Sequence, residues 1–339
     1  MPSTVLVTGG AGFIGSYFVR RLLKKQDLRV VNLDALRYSG NLENLRDVEH
    51  HPRYVFIHGD ICDAAVVDRA VRDYHVDTIV NFAAETHVDR SILEPGGFVK
   101  TDVLGTYVLL EAARAAGIRR FLQVSTDEVY GDVPAGSSME SDPLAPRSPY
   151  SASKAGGDFL ALSYYATYGL PVVLTRGSNT FGPFQYPEKF IPLFVTNAIE
   201  DQSLPLYGDG LQRRDWLHVE DHCEGIETVL QQGTPGEAYN IGGGQERENK
   251  EMADKILTLL GKPQSLLRHV TDRAGHDRRY ALNCDKLRLL GWRPRRTLED
   301  ALASTVTWYR ENRWWWEKIK SGEFRAYYER VYGARLSGE

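Results

Sequence analysis

The chain has 339 residues, enough to bury a large core without disulfides or a structural metal. Its 42% hydrophobic and 25% charged residues are ordinary for a globular protein, and a net charge of -4 argues against a broadly nucleic-acid-binding surface. Three scattered cysteines, Cys62, Cys223 and Cys284, fall in no zinc or redox spacing, so a reducing compartment and no metal site are expected. In chain order, residues 5–7 form a β-rich apolar run that leads through glycines into a helical pattern over 14–25. Strand patterns follow at 29–34 and 54–58, a helix at 64–74 and a strand at 78–84. A long helix is predicted over 98–116, a strand over 120–125, a helix over 151–168 and a strand over 170–177. Such alternation predicts βαβ units and a doubly wound parallel sheet, and the short near-continuous apolar runs suit strands covered on both faces.

Beyond about residue 180 prolines and glycines punctuate the pattern and loops lengthen. The expected division is therefore 1–180 for the sheet domain and 181–339 for a smaller, loop-rich α/β domain that holds substrate at its carboxyl edge. The aromatic stretch 308–332, with Trp314, Trp315 and Trp316, is expected to pack on the body or on a neighbouring copy. No apolar run approaches the roughly 20 residues of a membrane span. Residues 1–4 carry no signal-peptide pattern. The chain is expected to be cytoplasmic, with no membrane partner.

The first strand ends in Thr8-Gly9-Gly10-Ala11-Gly12-Phe13-Ile14-Gly15. Glycines at 9, 12 and 15 permit a tight turn, close approach to a pyrophosphate, and close helix–strand packing. The helix start adds free N–H groups and a positive dipole end. Asp34 closes the second strand 19 positions after Gly15, where a carboxylate would bond adenosine ribose hydroxyls and repel the extra phosphate of NADP. This points to NAD, with Arg37 nearby as the one residue that tempers the choice.

Tyr150 and Lys154, four apart, share one face of a helix. The ammonium is expected to lower the tyrosine pKa and make Tyr150 a base for a hydroxyl proton. The strand ending Ser125-Thr126 would set these hydroxyls at the carboxyl edge of the sheet. Asp127 and Glu128 follow directly. Alone they read as a solvated acidic turn; beside an oxidisable sugar they supply an acid and a base for eliminating water, provided their environments separate their pKa values.

These segments together resemble the extended short-chain dehydrogenase/reductase family, whose Rossmann-like members include nucleotide-sugar epimerases and dehydratases. The runs at 83–91, 178–183, 187–192, 214–216 and 272–280, AAETHVDRS, SNTFGP, PEKFIP, RDW and DRAGHDRRY, make the resemblance specific to the dTDP-glucose 4,6-dehydratases. The resemblance implies an NAD site of Gly9, Gly12, Phe13, Ile14, Gly15, Asp34, Ala35, Leu36, Arg37, Asp60, Ile61, Phe82, Ala83, Ala84, Thr101, Tyr150, Lys154 and Thr180. It implies that Thr86, Thr126 and Asn179 face the sugar. Glu188, Lys189, Ile191, Pro192, Leu193, Pro205, Leu206, Tyr207, Arg214, Asn249, Arg273 and His276 would hold the nucleotide diphosphate. Arg214 and Arg273 suit phosphate oxygens and Tyr207 suits stacking on a base. The sequence departs from the family at Thr180, more often asparagine, and in a shorter segment at 132–147.

The implied reaction is a lyase cycle on one tightly held NAD. Thr126, Tyr150 and Lys154 serve oxidation at C4, Glu128 takes the C5 proton, Asp127 protonates the C6 hydroxyl, and hydride returns to C6. Rival readings are the same dehydration of UDP-glucose, a 4-epimerase, which has no need of Asp127 and Glu128, and an NAD-sensing binding protein, which has no need of Tyr150 and Lys154. The family's four-helix dimers, and the surplus of apolar positions at 101–116 and 151–168, imply a homodimer.

Overall fold

The computed structural model describes residues 3–337; residues 1–2 and 338–339, at the ends of the two expected domains, lie outside it. Six strands come from the first half: β1 (Ser3–Thr8), β2 (Leu28–Asp34), β3 (Tyr54–His58), β4 (Thr78–Asn81), β5 (Arg120–Thr126) and β6 (Val172–Gly177). The second half adds β7 (Asn179–Phe181), β8 (Leu204–Tyr207), β9 (Arg213–His218), β10 (Ala238–Ile241), β11 (Glu246–Glu248) and β12 (Leu267–Val270). The main sheet runs β10-β6-β5-β4-β1-β2-β3 and every pairing in it is parallel. Val30, Val31, Val172, Val173 and Leu174 are fully buried, because helices cover both faces and leave the central strands no polar side.

The strand order turns back between β1 and β4, so connections on either side diverge and open a crevice at the carboxyl ends. The pairings Thr8↔Asn81 and Thr126↔Gly177 align those ends into one rim. Two smaller sheets, β11-β9-β7 and β12-β8, lie beyond it and share a separate apolar core with Trp315, Trp316 and Tyr332. The chain is interlaced: β10, residues 238–241, returns to the main sheet beside β6.

Two elements differ from the sequence expectation. The strand at 78–84 ends at Asn81, and Phe82 and Ala83 turn back onto Thr8 through its carbonyl and hydroxyl oxygens. The helix expected over 98–116 widens into a π-turn at Val99–Gly105 before Thr106–Ala116. There the Thr106 hydroxyl donates to the Asp102 carbonyl at 2.7 Å, and Gly157 of the next helix approaches the same oxygen. The bulge puts Thr101 on the crevice wall and Asp102 beneath it. The aromatic stretch packs on the body: Trp315 donates to Asn44 at 2.9 Å and Trp316 to the Tyr309 carbonyl at 2.8 Å, while Trp314 stays exposed. Among the described residues no helix is long and apolar enough to cross a membrane.

Candidate active site

The crevice is a cleft of about 310 Å³. At one end, Gly9 has φ +68°, and a Cβ there would sit 2.7 Å from the Ala83 nitrogen; one on Gly15 would sit 2.3 Å from the Gly9 carbonyl oxygen. Only glycine fits either place. No side chain caps the helix Phe13–Leu23 that follows, which leaves its first amides for an anion. Asp34 accepts the Ala11 amide at 2.9 Å and the Leu36 amide at 2.8 Å, so it braces the glycine turn as well as lining the cleft. Arg37 is held on the rim by Asp60 at 2.8 Å and Glu85 at 3.2 Å. Its charge is neutralised twice, which removes the objection it raised to NAD over NADP.

At the other end stand Thr126, Asp127, Glu128, Tyr150 and Lys154, all on the wall of the same cleft. Ser148 and Ser151 form a capping box that starts the helix Pro149–Tyr168 and fixes Tyr150 in its first turn. The expected lowering of the Tyr150 pKa is not found. Burial pushes this phenol well above its usual range, the Glu128 and Asp102 carboxylates add to the rise, and the Thr126 hydroxyl pulls the other way. Lys154 Nζ points instead to the Val124 carbonyl, to which it donates at 2.8 Å. Its charge acts instead on Asp102, which burial raises to about 6 and the ammonium partly pulls back.

Asp127 is buried and Glu128 half-buried, and the two differ in their surroundings. Burial drives Asp127 well above the ordinary range, and Glu128 and Asp215 reinforce this against Arg214 and the Thr126 hydroxyl. Its Oδ1 accepts from Thr126 at 3.2 Å while Oδ2 has no partner. Burial also raises Glu128, but Arg273, Arg214 and Lys189 all oppose that rise. The surroundings thus favour the protonated form more strongly at Asp127 than at Glu128, which three cations face.

A second cavity of about 160 Å³ opens on the far side of Glu128 and Tyr150. Glu188, Lys189, Leu193, Pro205, Leu206, Tyr207, Arg214, Asn249, Arg273 and His276 line it, and Asn179 joins the two cavities. Lys189 donates to Thr86 at 2.8 Å, and Glu188 pairs with Arg90 at 2.8 Å. His276 hydrogen-bonds Asp272 at 2.6 Å, and burial pushes its pKa down to about 3. Buried Asn179 Oδ1, Asn249 Oδ1, Thr101 Oγ1 and Arg273 Nε have no partner. Buried polar atoms are normally paired, so these are the points at which a polar ligand would complete the bonding.

A family model described as GDP-mannose 4,6 dehydratase matches residues 6–305. The chain is 52% identical over 323 residues to a dTDP-glucose 4,6-dehydratase of Streptomyces niveus, covering 94% of this chain and 96% of that one. The chain belongs to the nucleotide-sugar 4,6-dehydratase family. Its fold superposes on DesIV, a dTDP-glucose 4,6-dehydratase from Streptomyces venezuelae solved with NAD bound, with a TM-score of 0.91 and 53% identity, over 94% of this chain and all of that one. A UDP-glucose 4-epimerase of Thermus thermophilus in complex with NAD gives a TM-score of 0.85 at 32% identity, over 91% of this chain and 99% of that one.

For this dehydratase-family chain, three expected site residues stand apart from the cavity walls. Ile191 is in the apolar core of the second region, Pro192 is buried in the same helix, and Leu36 contributes its amide to Asp34. Other wall residues carried no spacing clue. His222 lies against Gly177, where a Cβ would meet its ring at 2.5 Å, and bonds Thr180 Oγ1 at 2.7 Å. Gln185, Tyr186, Asp89 and Tyr332 also reach the walls. Of the adjacent arginines, Arg278 is a surface partner of Asp209, whereas Arg279 clamps Glu246 and the carbonyls of Val133 and Gly136.

Proposed function

We propose that this chain is an NAD-dependent dTDP-glucose 4,6-dehydratase, a hydro-lyase of deoxysugar biosynthesis that forms dTDP-4-keto-6-deoxyglucose and water. The single observation that carries the reading is the unequal environment of Asp127 and Glu128 beside Tyr150. An epimerase has no use for a buried acid and base set against each other.

The residues fit the cofactor: glycines without room for a Cβ, an uncapped helix start, Asp34 and the unpartnered Thr101 hydroxyl line one continuous cleft. Gly9, Gly12 and Gly15 would take the pyrophosphate, Asp34 to Arg37 with Asp60 and Ile61 the adenosine, and Phe82 to Ala84, Thr101, Lys154 and Thr180 the remainder. Bound NAD supplies a hydride acceptor for C4 and a hydride donor for C6. Tyr150, whose phenolate the positive charge of bound NAD would favour against burial, takes the C4 hydroxyl proton, and Thr126 bonds the C4 oxygen. Once C4 is a carbonyl, C5–H is acidic; Glu128 removes that proton, and Asp127 gives its own to the departing C6 hydroxyl. Thr86 and Asn179 hold the sugar, and the second cavity receives the nucleotide, with Arg214 and Arg273 facing its phosphates.

The helices carrying Val99, Leu104, Tyr107, Phe159, Tyr165 and Tyr168 leave these side chains exposed, which supports a homodimer formed by a four-helix bundle. The three free cysteines support a cytoplasmic protein. The division near residue 180 into a cofactor and a substrate domain is our reading of the interlaced chain. Incubation with dTDP-, UDP-, GDP- and CDP-glucose tests the whole: dTDP-glucose should lose one water to a 4-keto-6-deoxy sugar fastest, and turnover of UDP-glucose alone, or a C4 epimer without loss of water, would overturn it.

A further inference from the structure

The C-terminal segment is not just packing. Tyr332, 5% exposed, is part of the wall of the second cavity, and its ring lies 5.8 Å from that of Tyr207 at 32°. Arg335 approaches the Tyr207 ring at 5.2 Å and donates to its hydroxyl at 2.9 Å. That hydroxyl in turn donates to Asp89 at 3.3 Å, and Asp89 faces Arg273 at 3.6 Å. Tyr207 is thus held by its ring, which His276 also meets edge-on at 5.9 Å, and by its hydroxyl, and two of the groups holding it, Tyr332 and Arg335, come from the last residues described.

We infer that Tyr332 and Arg335 are positioning residues that set the affinity of the nucleotide pocket: they fix the ring of Tyr207, and Tyr332 itself closes the wall against the base. The inference rests on reading this cavity as the nucleotide site. The physical case is that an aromatic wall gains from being rigid. A tyrosine free to rotate must be ordered when ligand arrives, and one already pinned spares that cost. The segment is anchored for the purpose: Val331 is buried in the second core, Tyr328 packs on Tyr332 at 5.0 Å, and Asn197 donates to the Tyr328 hydroxyl at 3.2 Å. Neither residue touches the cofactor cleft, so their loss should act on nucleotide affinity and leave the chemistry alone.

The test compares the wild type with Tyr332→Ala, Tyr332→Phe and Arg335→Ala, measuring kcat and KM for dTDP-glucose, the affinity for dTDP by calorimetry, and bound NAD per chain. For Tyr332→Ala, KM and the dTDP dissociation constant should rise together by about tenfold, as expected for a lost aromatic wall, with kcat and bound NAD unchanged. Tyr332→Phe should restore both, and Arg335→Ala should give a smaller rise of the same kind. Unchanged dTDP affinity in both alanine variants would overturn the inference. So would a parallel loss of kcat and bound NAD, which is the mark of general packing. A wild type that binds dTDP in a Tyr332-dependent way but does not turn over dTDP-glucose would sink the proposed reaction and leave this wall standing.

Discussion

The two cavities are built in opposite ways. The cofactor cleft takes its shape from backbone: absent Cβ atoms at Gly9 and Gly15, an uncapped helix start, and an aspartate that braces the turn through two amides. The second cavity, which we read as the nucleotide site, is made of side chains from ten separate stretches of chain, from His87 to Tyr332. The backbone features named are rigid, and most lie close together in sequence, between Gly9 and Leu36. Side-chain construction is dispersed and depends on the second core to bring its parts together. The lesson is that one cavity should fail abruptly and the other by degrees.

The largest effect should come where the two cavities meet. Tyr150→Phe removes a hydroxyl on the wall of both cavities and should cost at least about 10²–10⁴-fold in rate, with no NADH formed on adding substrate. In the cofactor cleft, Gly15→Ala forces a Cβ to 2.3 Å from the Gly9 carbonyl oxygen. Overpacking of this kind costs about 1–3 kcal/mol, and bound NAD per chain in the purified protein should fall accordingly. Full retention of NAD would show that the turn yields, and the contrast with the side-chain cavity would weaken.

The nucleotide cavity should respond in grades. Arg273 is the leading charge opposing the raised pKa of Glu128. Arg273→Ala removes that opposition, so the Glu128 pKa rises further, and a base is active only above its pKa. The acid limb of the kcat/KM profile should therefore move to higher pH, and an unmoved limb would mean that Glu128 is not the titrating base. Smallest of all, Phe159→Lys on the exposed helix face should weaken the proposed dimer in sedimentation and leave turnover per chain unchanged.

Sequence reasoning saw these regions unequally for the same reason. The glycine turn, Asp34, and the Tyr150–Lys154 spacing were legible because each feature is local and its geometry follows from short-range spacing. The direction of Lys154 was not, since it depends on the Val124 carbonyl of a neighbouring strand. The π-turn at Val99–Gly105 also escaped, because its surroundings include a helix that approaches through Gly157, far along the chain. The nucleotide cavity was legible only through resemblance: nothing in the spacing of Arg214, Asn249 and Arg273 foretells that they converge. Tyr332 and His222 had neither kind of clue.

The central claim is that Asp127 and Glu128 divide acid and base duties in an elimination enclosed between two hydride transfers. Glu128→Gln with dTDP-glucose deuterated at C4 tests it most directly. Oxidation should still occur, enzyme-bound NADH should accumulate, and product should form more slowly by about 10²–10⁴-fold. What product appears should carry the deuterium at C6. Turnover at the wild-type rate, or deuterium lost to solvent, would contradict the account.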